Sequence, residues 1–241
     1  MRHPYMAKVG KGISKARGGW DFSGSVAEHF VPHAVKSIPL YHKGHDVILA
    51  LSDYFCHHDS VCYDVGTSTG ELIRKLAERH KDKKNIKWVG IDVEPKMIEV
   101  AKRHCSGFPV NLYCRDAVVY DYEMADMVVS YYTMQFMPEK RKQPFLSKIY
   151  ERLNWGGALI MFEKVRAPDA RFQDIISTLY TNFKMDNGFN CDEIIHKAES
   201  LKGTMWPFST AANIDLLKRA GFTDITTVMK YLCFEGFLAI K

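Results

Sequence analysis

From residue 61 onward, short apolar runs alternate with amphipathic stretches, and this alternation restricts the chain to an α/β fold with a mostly parallel sheet. An apolar run predicts a strand, whereas a longer amphipathic stretch predicts a helix that packs on the sheet. The predicted strands cover residues 61–66, 85–92, 109–116, 125–134 and 158–165. The predicted helices between them cover residues 70–80, 95–105 and 140–153.

The C-terminal end of the chain departs from this alternation. Residues 222–232 and 233–241 predict two strands with almost no connection. These strands must pair antiparallel, because a parallel pair needs a long crossover. The sequence therefore predicts a seven-stranded sheet with an antiparallel C-terminal pair. A turn is predicted at residues 154–157, just before the fifth strand.

The domain organisation follows from the same pattern. Residues 1–60 predict an N-terminal helical lid or arm, and residues 61–241 predict one ligand-binding domain. A helical insertion near residues 188–206 interrupts that domain, between helices expected at 169–185 and 208–220. A chain of 241 residues can bury one large core, or at most two small ones.

The stretch YDVGTSTGEL joins the first predicted strand to the first predicted helix. Gly66, Ser68 and Gly70 match the G-x-S-x-G pattern of a serine hydrolase, in which the serine is the nucleophile. A hydrolase also needs a late histidine in a loop after a strand, but the last histidine, His196, lies in the insertion. A glycine-rich turn before a helix can instead hold a nucleotide-like cofactor, and we favour this interpretation.

Three aspartates, Asp64, Asp92 and Asp116, lie at the ends of the first three predicted strands. Ligands in open α/β sheets bind at these carboxyl ends. Asp92 is placed where a carboxylate that binds a ribose belongs. A nicotinamide dehydrogenase would need glycine at the position of Ser68 to admit a pyrophosphate. S-adenosylmethionine (SAM) has a ribose, an ammonium and a sulfonium but no phosphate, so it fits the acids and the loop better.

Charge and apolar runs limit the partners and the location. The net charge is +5, and an N-terminal arm concentrates Lys8, Lys11, Lys15 and Arg17. Such an arm can follow the phosphates of a nucleic acid, and it can equally be a solvated tail. No apolar run reaches the roughly 18–20 residues that span a bilayer, and no secretory signal is present. We therefore expect a cytoplasmic protein with no membrane partner.

Metal-ligating residue types cluster at Cys56-His57-His58-Asp59. Adjacent histidines rarely reach the same ion, and a structural zinc site needs a second pair of ligands at a fixed spacing. The six cysteines are scattered without C-x-x-C spacing, which is typical of reduced thiols. The sequence therefore predicts no metal and no disulfide framework.

Several long segments carry a family resemblance. They include WDFSGSVAEHFVPHAVKSIPLY, YDVGTSTGEL, GIDVEPKMIEVAKRH and MQFMPEKRKQPFLSKIYERLNWGGALIMFEK. With them the chain resembles class I SAM-dependent methyltransferases, and most of all the bacterial carboxy-S-adenosylmethionine (carboxy-SAM) synthases of tRNA wobble-uridine modification. The resemblance implies a Rossmann-like fold, SAM or carboxy-SAM as the cofactor, and a homodimer.

The resemblance also implies roles for individual residues. Tyr41 would close the cofactor site from the N-terminal segment. The loop residues would contact the methionine part, and residues after the second and third strands would contact the ribose and the adenine. The predicted cofactor-binding residues are Tyr41, Asp64, Gly66, Thr67, Ser68, Gly70, Asp92, Val93, Asp116, Ala117 and Tyr131.

Two positions depart from the pattern of that family. Tyr131 stands where the family has an asparagine, and Ala198 stands where it has an arginine beside the extra carboxylate of the ligand. Arginine pairs with a carboxylate, whereas leaving a buried carboxylate unpaired costs roughly 3–5 kcal/mol. Alanine offers no donor, and the neighbouring Lys197 is expected to point elsewhere on the helix.

These departures favour a SAM-dependent methyltransferase on a carboxy-SAM synthase-like scaffold, with a nucleic-acid base or a small molecule as the acceptor. One alternative is a carboxy-SAM synthase that binds the carboxylate through another group, such as Tyr131 or a lysine from a partner subunit. Another is a non-catalytic SAM- or RNA-binding module. Tyr131 and Tyr132 are the candidates for acceptor contact, and Glu163 is the candidate base. Pairing of Glu163 with Lys164 or another surface cation is the structural alternative.

Overall fold

The computed structural model describes residues 7–8, 14–15, 18–19, 22 and 24–241. Of the predicted basic arm, Lys11 and Arg17 lie outside the described residues. Lys8 and Lys15 are described only as backbone, in a short antiparallel pairing of Ala7–Lys8 with Ser14–Lys15. The role of this arm therefore stays a prediction.

A seven-stranded sheet forms the centre of the molecule. Its strands are β1 (Val61–Val65), β2 (Lys87–Asp92), β3 (Val110–Cys114), β4 (Ala125–Tyr131), β5 (Leu153–Lys164), β6 (Asp224–Tyr231) and β7 (Phe234–Ile240). They follow the order β3-β2-β1-β4-β5-β7-β6. Strands β1 to β5 pair in parallel, and β7 pairs antiparallel with both β5 and β6. The strand order reverses beside β1, between β2 and β4, where ligands bind in sheets of this kind.

The predicted turn at residues 154–157 is wrong, because these residues belong to β5. Strand β4 pairs Ala125 with Leu153 and then Met127 with Ala158, so the residues between form a bulge. Gly156 has a φ of 79° within this bulge, a conformation that glycine adopts without steric cost. A bulge and a turn both favour glycine, and the sequence signal did not separate them.

Eight α-helices accompany the sheet in the described part of the chain. They are α1 (Phe30–Ser37), α2 (Tyr41–Ser52), α3 (Glu71–Arg79), α4 (Pro95–His104), α5 (Glu139–Arg152), α6 (Ala170–Asp186), α7 (Cys191–Ser200) and α8 (Thr210–Ala220). Helix α7 lies within the predicted insertion. Its first turn is fixed by a capping box, in which Asn190 and Glu193 each accept a backbone N–H of the other.

Two buried clusters cover the two faces of the sheet, because successive strand residues point to opposite sides. On one face, Leu146 of α5 and Leu217 of α8 pack with Val128 of β4. On the other, Ile73 of α3 packs with Val129, the next residue of β4. Within the described residues, no helix is both long enough and apolar enough to cross a bilayer.

Candidate functional site

The loop between β1 and α3 lies at the carboxyl end of the sheet. Gly66 and Gly70 have φ values of 73° and 77°, and Ser68 has a φ of 52°. The backbone N–H groups of Gly66 and Thr67 donate to the carbonyl oxygen of Ile91 in β2, at 2.7 and 3.0 Å. This conformation needs glycine at its turns, and it brings the loop backbone to the edge of a cavity.

Two of the predicted aspartates lie beside this loop. Asp64 is buried and accepts the hydroxyl of Thr67 at 2.8 Å. Burial raises the pKa of Asp64 to about 7, against the opposing effect of that hydrogen bond. Asp92 accepts the N–H groups of Ser68 and Glu94, each at 2.9 Å. Burial also raises the pKa of Asp92, and these backbone hydrogen bonds oppose the rise. Asp92 therefore holds the loop and borders the cavity at the same time.

The third aspartate, Asp116, lies at the mouth of the cavity. One of its oxygens accepts the N–H of Val118 at 2.9 Å, and the other pairs with the Arg141 guanidinium at 2.6 Å. Arg141 also lines the cavity, but it comes from the first turn of α5. The sequence did not indicate this residue, because a lysine- and arginine-rich helix start gives no sign of which cation turns inward.

A cavity of ≈ 470 Å³ opens at this end of the sheet, with a lining that is more apolar than polar. Such a volume suits a nucleoside-sized ligand. Helices α1 and α2 cover it from the N-terminal side, and α7 closes its far end. Of the predicted site residues, those that line the cavity are Tyr41, Asp64, Gly66, Thr67, Ser68, Asp92, Val93, Asp116, Ala117, Tyr131 and Tyr132. Gly70 and Glu163 are not part of this lining.

Tyr131 connects the sheet to helix α2. Its hydroxyl donates to the carbonyl oxygen of Tyr41 at 2.5 Å. Its ring packs between Tyr41, His45 and Phe162, with ring centroids 4.8–5.3 Å apart. A side chain at Gly44 would collide with the Tyr131 ring. Tyr131 therefore borders the cavity, while its hydroxyl and most of its ring are used in packing against the lid.

Tyr132 differs from its neighbour. It is 6% exposed, it has a φ of 58°, and its hydroxyl has no hydrogen-bond partner among the described residues. A non-glycine residue at positive φ is strained, and such strain is concentrated at functional sites. An unsatisfied hydroxyl that borders a cavity can be satisfied by a ligand. The prediction that Tyr132 contacts a reactant therefore stays open.

Glu163 is fully buried away from the cavity lining. Burial raises the pKa of Glu163 to about 8, while the nearby Lys142 ammonium and two backbone N–H groups oppose the rise. The adjacent Lys164 borders the cavity instead, since neighbouring strand residues point to opposite faces. Glu163 therefore does not pair with Lys164, its nearby cation is Lys142, and the predicted base has no direct contact with the cavity.

Lysines gather at the far end of the cavity. Lys164 and Lys197 line it, and Lys184 lies beside Tyr180, whose ring centroid is 4.5 Å from both the Lys164 and the Lys184 ammonium. Lys164 and Lys184 form no ion pair with a carboxylate of the described residues. Burial lowers the pKa of Lys164, and it lowers that of Lys184 to about 8. Cations in such surroundings favour an anionic ligand.

The expectation that Lys197 points away from the site is wrong. Lys197 lies on the buried face of α7, and its ammonium is 2.5 Å from His33 Nε2 and 2.6 Å from Ser37 Oγ. Burial, followed by the charges of Lys184 and Lys164, lowers the pKa of Lys197 well below its usual value. Ala198 is exposed and does not line the cavity. The residue of α7 that faces the site is therefore Lys197, one position before Ala198, and the site has a cation where alanine was expected.

Comparison of the sequence with known proteins identifies relatives of this chain. Residues 62–157 match the family described as "Methyltransferase domain". A protein of Staphylococcus epidermidis named carboxy-S-adenosyl-L-methionine synthase is 30% identical over 92% of this chain and 97% of its own length. A Campylobacter lari protein of the same name is 32% identical over 92% of this chain and 94% of its own length.

Solved structures confirm the predicted class I methyltransferase fold. Magnesium protoporphyrin IX methyltransferase from Synechocystis PCC 6803, with bound SAH, superposes with a TM-score of 0.60 at 15% identity, covering 91% of this chain and 95% of that one. Human N-acetylserotonin methyltransferase in complex with SAM gives a TM-score of 0.59 at 16% identity, covering 87% and 54%. At these identities the likeness concerns the fold alone.

Proposed function

Because this chain belongs to the carboxy-S-adenosyl-L-methionine synthase family, we propose that its cavity binds SAM and that the lysine end of the cavity binds a carboxylate. The reaction is then the transfer of a carboxyl group from a carboxylate-bearing donor to the methyl carbon of SAM: the methyl group loses a proton, the donor's C–COO⁻ bond breaks, the donor carbon takes up that proton, and carboxy-SAM is formed. The proposal rests mainly on Lys164, which borders the cavity and has no carboxylate partner in the described part of the chain.

The aspartates and the loop support the placement of SAM. The buried carboxyl of Asp64 suits the ammonium of the methionine part, because a cation compensates a buried negative charge. Asp92 borders the cavity at the end of β2 and suits the ribose hydroxyls. Val93 and Ala117 flank the remaining space, where their apolar surfaces suit the adenine ring. The chain then contributes positioning and charge, and the sulfonium supplies the reactivity.

The lysines support a carboxylate at the other end of the cavity. A carboxylate there would stabilise the charged form of these lysines and so oppose the effect of burial, which lowers the pKa of Lys164 and Lys197. Charge-assisted hydrogen bonds from lysine to a carboxylate are stronger than neutral ones. The exposed position of Ala198 also removes the reason for expecting no cation at the site.

Methyl transfer to a separate acceptor is the second candidate. Tyr131 favours this candidate, because it stands where the family has an asparagine. Its ring and hydroxyl fill space that the smaller asparagine side chain would leave open to the ligand. Tyr132, with its unsatisfied hydroxyl, is then the residue best placed to contact an acceptor. The acceptor would be a nucleic-acid base or a small molecule that enters beside the lysines.

Mass spectrometry of the small molecule released from the purified, denatured protein separates the two candidates. Carboxy-SAM in the released fraction is the expected result. SAM or S-adenosylhomocysteine alone, even after the protein is produced in cells that make carboxy-SAM, would contradict the carboxylate proposal and support methyl transfer. Absence of all three compounds, together with no SAM binding by calorimetry, would contradict both candidates.

SAM binding should depend on pH through Asp64. Because burial raises the pKa of this carboxyl to about 7, it must release a proton before it attracts the ammonium of SAM fully. We expect the SAM affinity to rise about tenfold per pH unit below pH 7 and to level off above it. Calorimetric titrations from pH 5.5 to 8.5 measure this profile.

The variant Asp64→Asn is the control for this dependence. It should bind SAM more weakly at pH 8 and should lose the slope, and a slope that persists in D64N would refute the assignment. The free wild-type protein should also lose stability as the pH rises from about 4 to about 7. The reason is that folded Asp64 keeps a proton that the unfolded chain releases near its ordinary pKa of 3.8.

A homodimer is part of the proposal, in line with the family resemblance. Helix α6 leaves Phe172, Ile175 and Leu179 exposed on one face, which suits contact with a second copy. Light scattering coupled to size exclusion should give twice the chain mass of 27.7 kDa. A monomer at micromolar concentration would contradict this part of the proposal.

Action in the cytoplasm and on tRNA also belongs to the proposal. The basic arm supports nucleic-acid binding through its charge alone. Gel-shift assays with tRNA across a salt series, for the full chain and for a variant lacking residues 1–19, provide the test. A steep salt dependence that disappears with the arm is expected, whereas equal binding by both proteins would remove the arm from the proposal.

A further inference from the structure

A cluster of metal-ligating side chains lies where helix α2 meets helix α3. His42 and His45 are three residues apart on α2, so they share one face, and Glu71 is the first residue of α3. Each residue offers one ligand atom, and these atoms all lie within 4.8 Å of one another. The cluster is separate from the Cys56-His57-His58-Asp59 segment that the sequence singled out.

A cation already contacts two members of this cluster. The ammonium of Lys75 is 2.7 Å from Glu71 Oε1 and 3.3 Å from His45 Nδ1. His42 Nδ1 lies 3.7 Å from the same Glu71 oxygen. The Lys75 side chain is 29% exposed, so it can rotate towards the solvent. Two of the three ligand atoms therefore already contact a positive charge, and the third lies beside one of these two.

The second oxygen of Glu71 provides an independent observation. Glu71 Oε2 is buried and has no hydrogen-bond partner among the described residues. A buried carboxylate oxygen without a partner is costly unless a ligand satisfies it. Lys75 reaches only the first oxygen, so its ammonium leaves the carboxylate half satisfied.

We propose that His42, His45 and Glu71 bind a divalent cation of the zinc type, which displaces the Lys75 ammonium. Two imidazoles and one carboxylate form a ligand set that zinc and related first-row ions accept, with an open position for water. Zinc–ligand bonds of about 2.0–2.2 Å require the three atoms to approach one another by roughly an ångström. His42, whose side chain is 51% exposed, is free to make this movement.

The position of His45 is compatible with binding. Its Nδ1 lies 3.3 Å from the Lys75 ammonium, so this nitrogen already faces a cation. The ion would bind beside Tyr41 and the cavity, since His45 and Glu71 both line it. A bound ion would then fix the first turns of α2 and α3, the elements that cover the cofactor end.

Competition of the chelator-treated full chain with a chromophoric zinc chelator tests the proposal. We compare the wild type with His42→Ala, with Lys75→Met, and with His57→Ala as a matched control from the exposed segment before β1. H42A should weaken zinc binding at least about tenfold, because it removes a ligand. K75M should strengthen binding, since it removes the competing cation. H57A should bind zinc as the wild type does.

Cobalt substitution gives a readout that does not depend on affinity. Co²⁺ bound by the wild type should show visible absorption that changes shape in H42A and is unchanged in H57A. Equal zinc affinities of the wild type and H42A would overturn the proposal. Unchanged zinc affinity in K75M would overturn the inference that the ion occupies the position of the Lys75 ammonium.

Discussion

Gly66→Ala should abolish measurable SAM binding, lowering the affinity by about a hundredfold or more, and should destabilise the fold. A β-carbon at this position would lie 2.8 Å from Thr133 Cβ and closer still to the other two side-chain atoms of Thr133. Thr133 cannot yield freely, because its hydroxyl donates to the Val65 carbonyl at 3.0 Å. Residue 66 also has a φ of 73°, which costs alanine about 1–2 kcal/mol. Calorimetry with SAM and chemical denaturation measure the two effects.

Gly107→Ala is the matched control for this variant. Gly107 has a φ of 87°, so alanine meets a comparable backbone cost, but no atom lies within 4 Å of its added β-carbon. We expect G107A to lose about 1–2 kcal/mol of stability and to keep the SAM affinity of the wild type. If G66A bound SAM as tightly as G107A, the loop would not be the cofactor cradle.

Lys164→Met should lower the affinity for carboxy-SAM by roughly 10- to 100-fold and leave the affinity for SAM within about threefold. A hydrogen bond to a charged group contributes about 1.5–3 kcal/mol, and only carboxy-SAM offers the extra carboxylate. Methionine keeps the length of the side chain and its packing against Tyr180. Parallel titrations with SAM and carboxy-SAM measure the difference.

Lys202→Met is the control, because Lys202 follows α7, the helix at the lysine end of the cavity, but is exposed. It should change neither affinity. The free K164M protein should be as stable as the wild type or more stable, since a partly buried cation without a carboxylate partner opposes folding. An equal loss of affinity for both ligands would indicate damaged packing, and an unchanged affinity for carboxy-SAM would remove Lys164 from the carboxylate site.

The alternation of apolar and amphipathic segments was sufficient to predict the sheet, because each strand and helix has its own period. It also predicted the positions of Asp64 and Asp92, since carboxyl ends of parallel strands meet at one edge. The bulge at Gly156 was not predictable, because pairing register depends on the neighbouring strand.

The lysines at the far end of the cavity could not be predicted from the sequence, for a different reason. Whether Lys197 or Ala198 faces the site depends on the rotation of α7 against α1, and a one-residue shift turns a helix by about 100°. The directions of Lys164 and Glu163 differ because successive strand residues point to opposite faces. The sequence did not reveal this difference, since both faces of β5 are covered and its residues form a continuous apolar run.

The contact between Tyr131 and helix α2 has a consequence for the history of this chain. The Tyr131 hydroxyl reaches the Tyr41 carbonyl across 90 positions of sequence, and its ring occupies the space that a side chain at position 44 would need. A substitution at one of these positions therefore constrains the other. A lineage that acquires a larger residue at position 44 must first acquire a smaller residue at position 131, because the two side chains would otherwise overlap. Sequences with bulky residues at both positions should therefore be absent from any lineage that keeps helix α2 packed over the sheet.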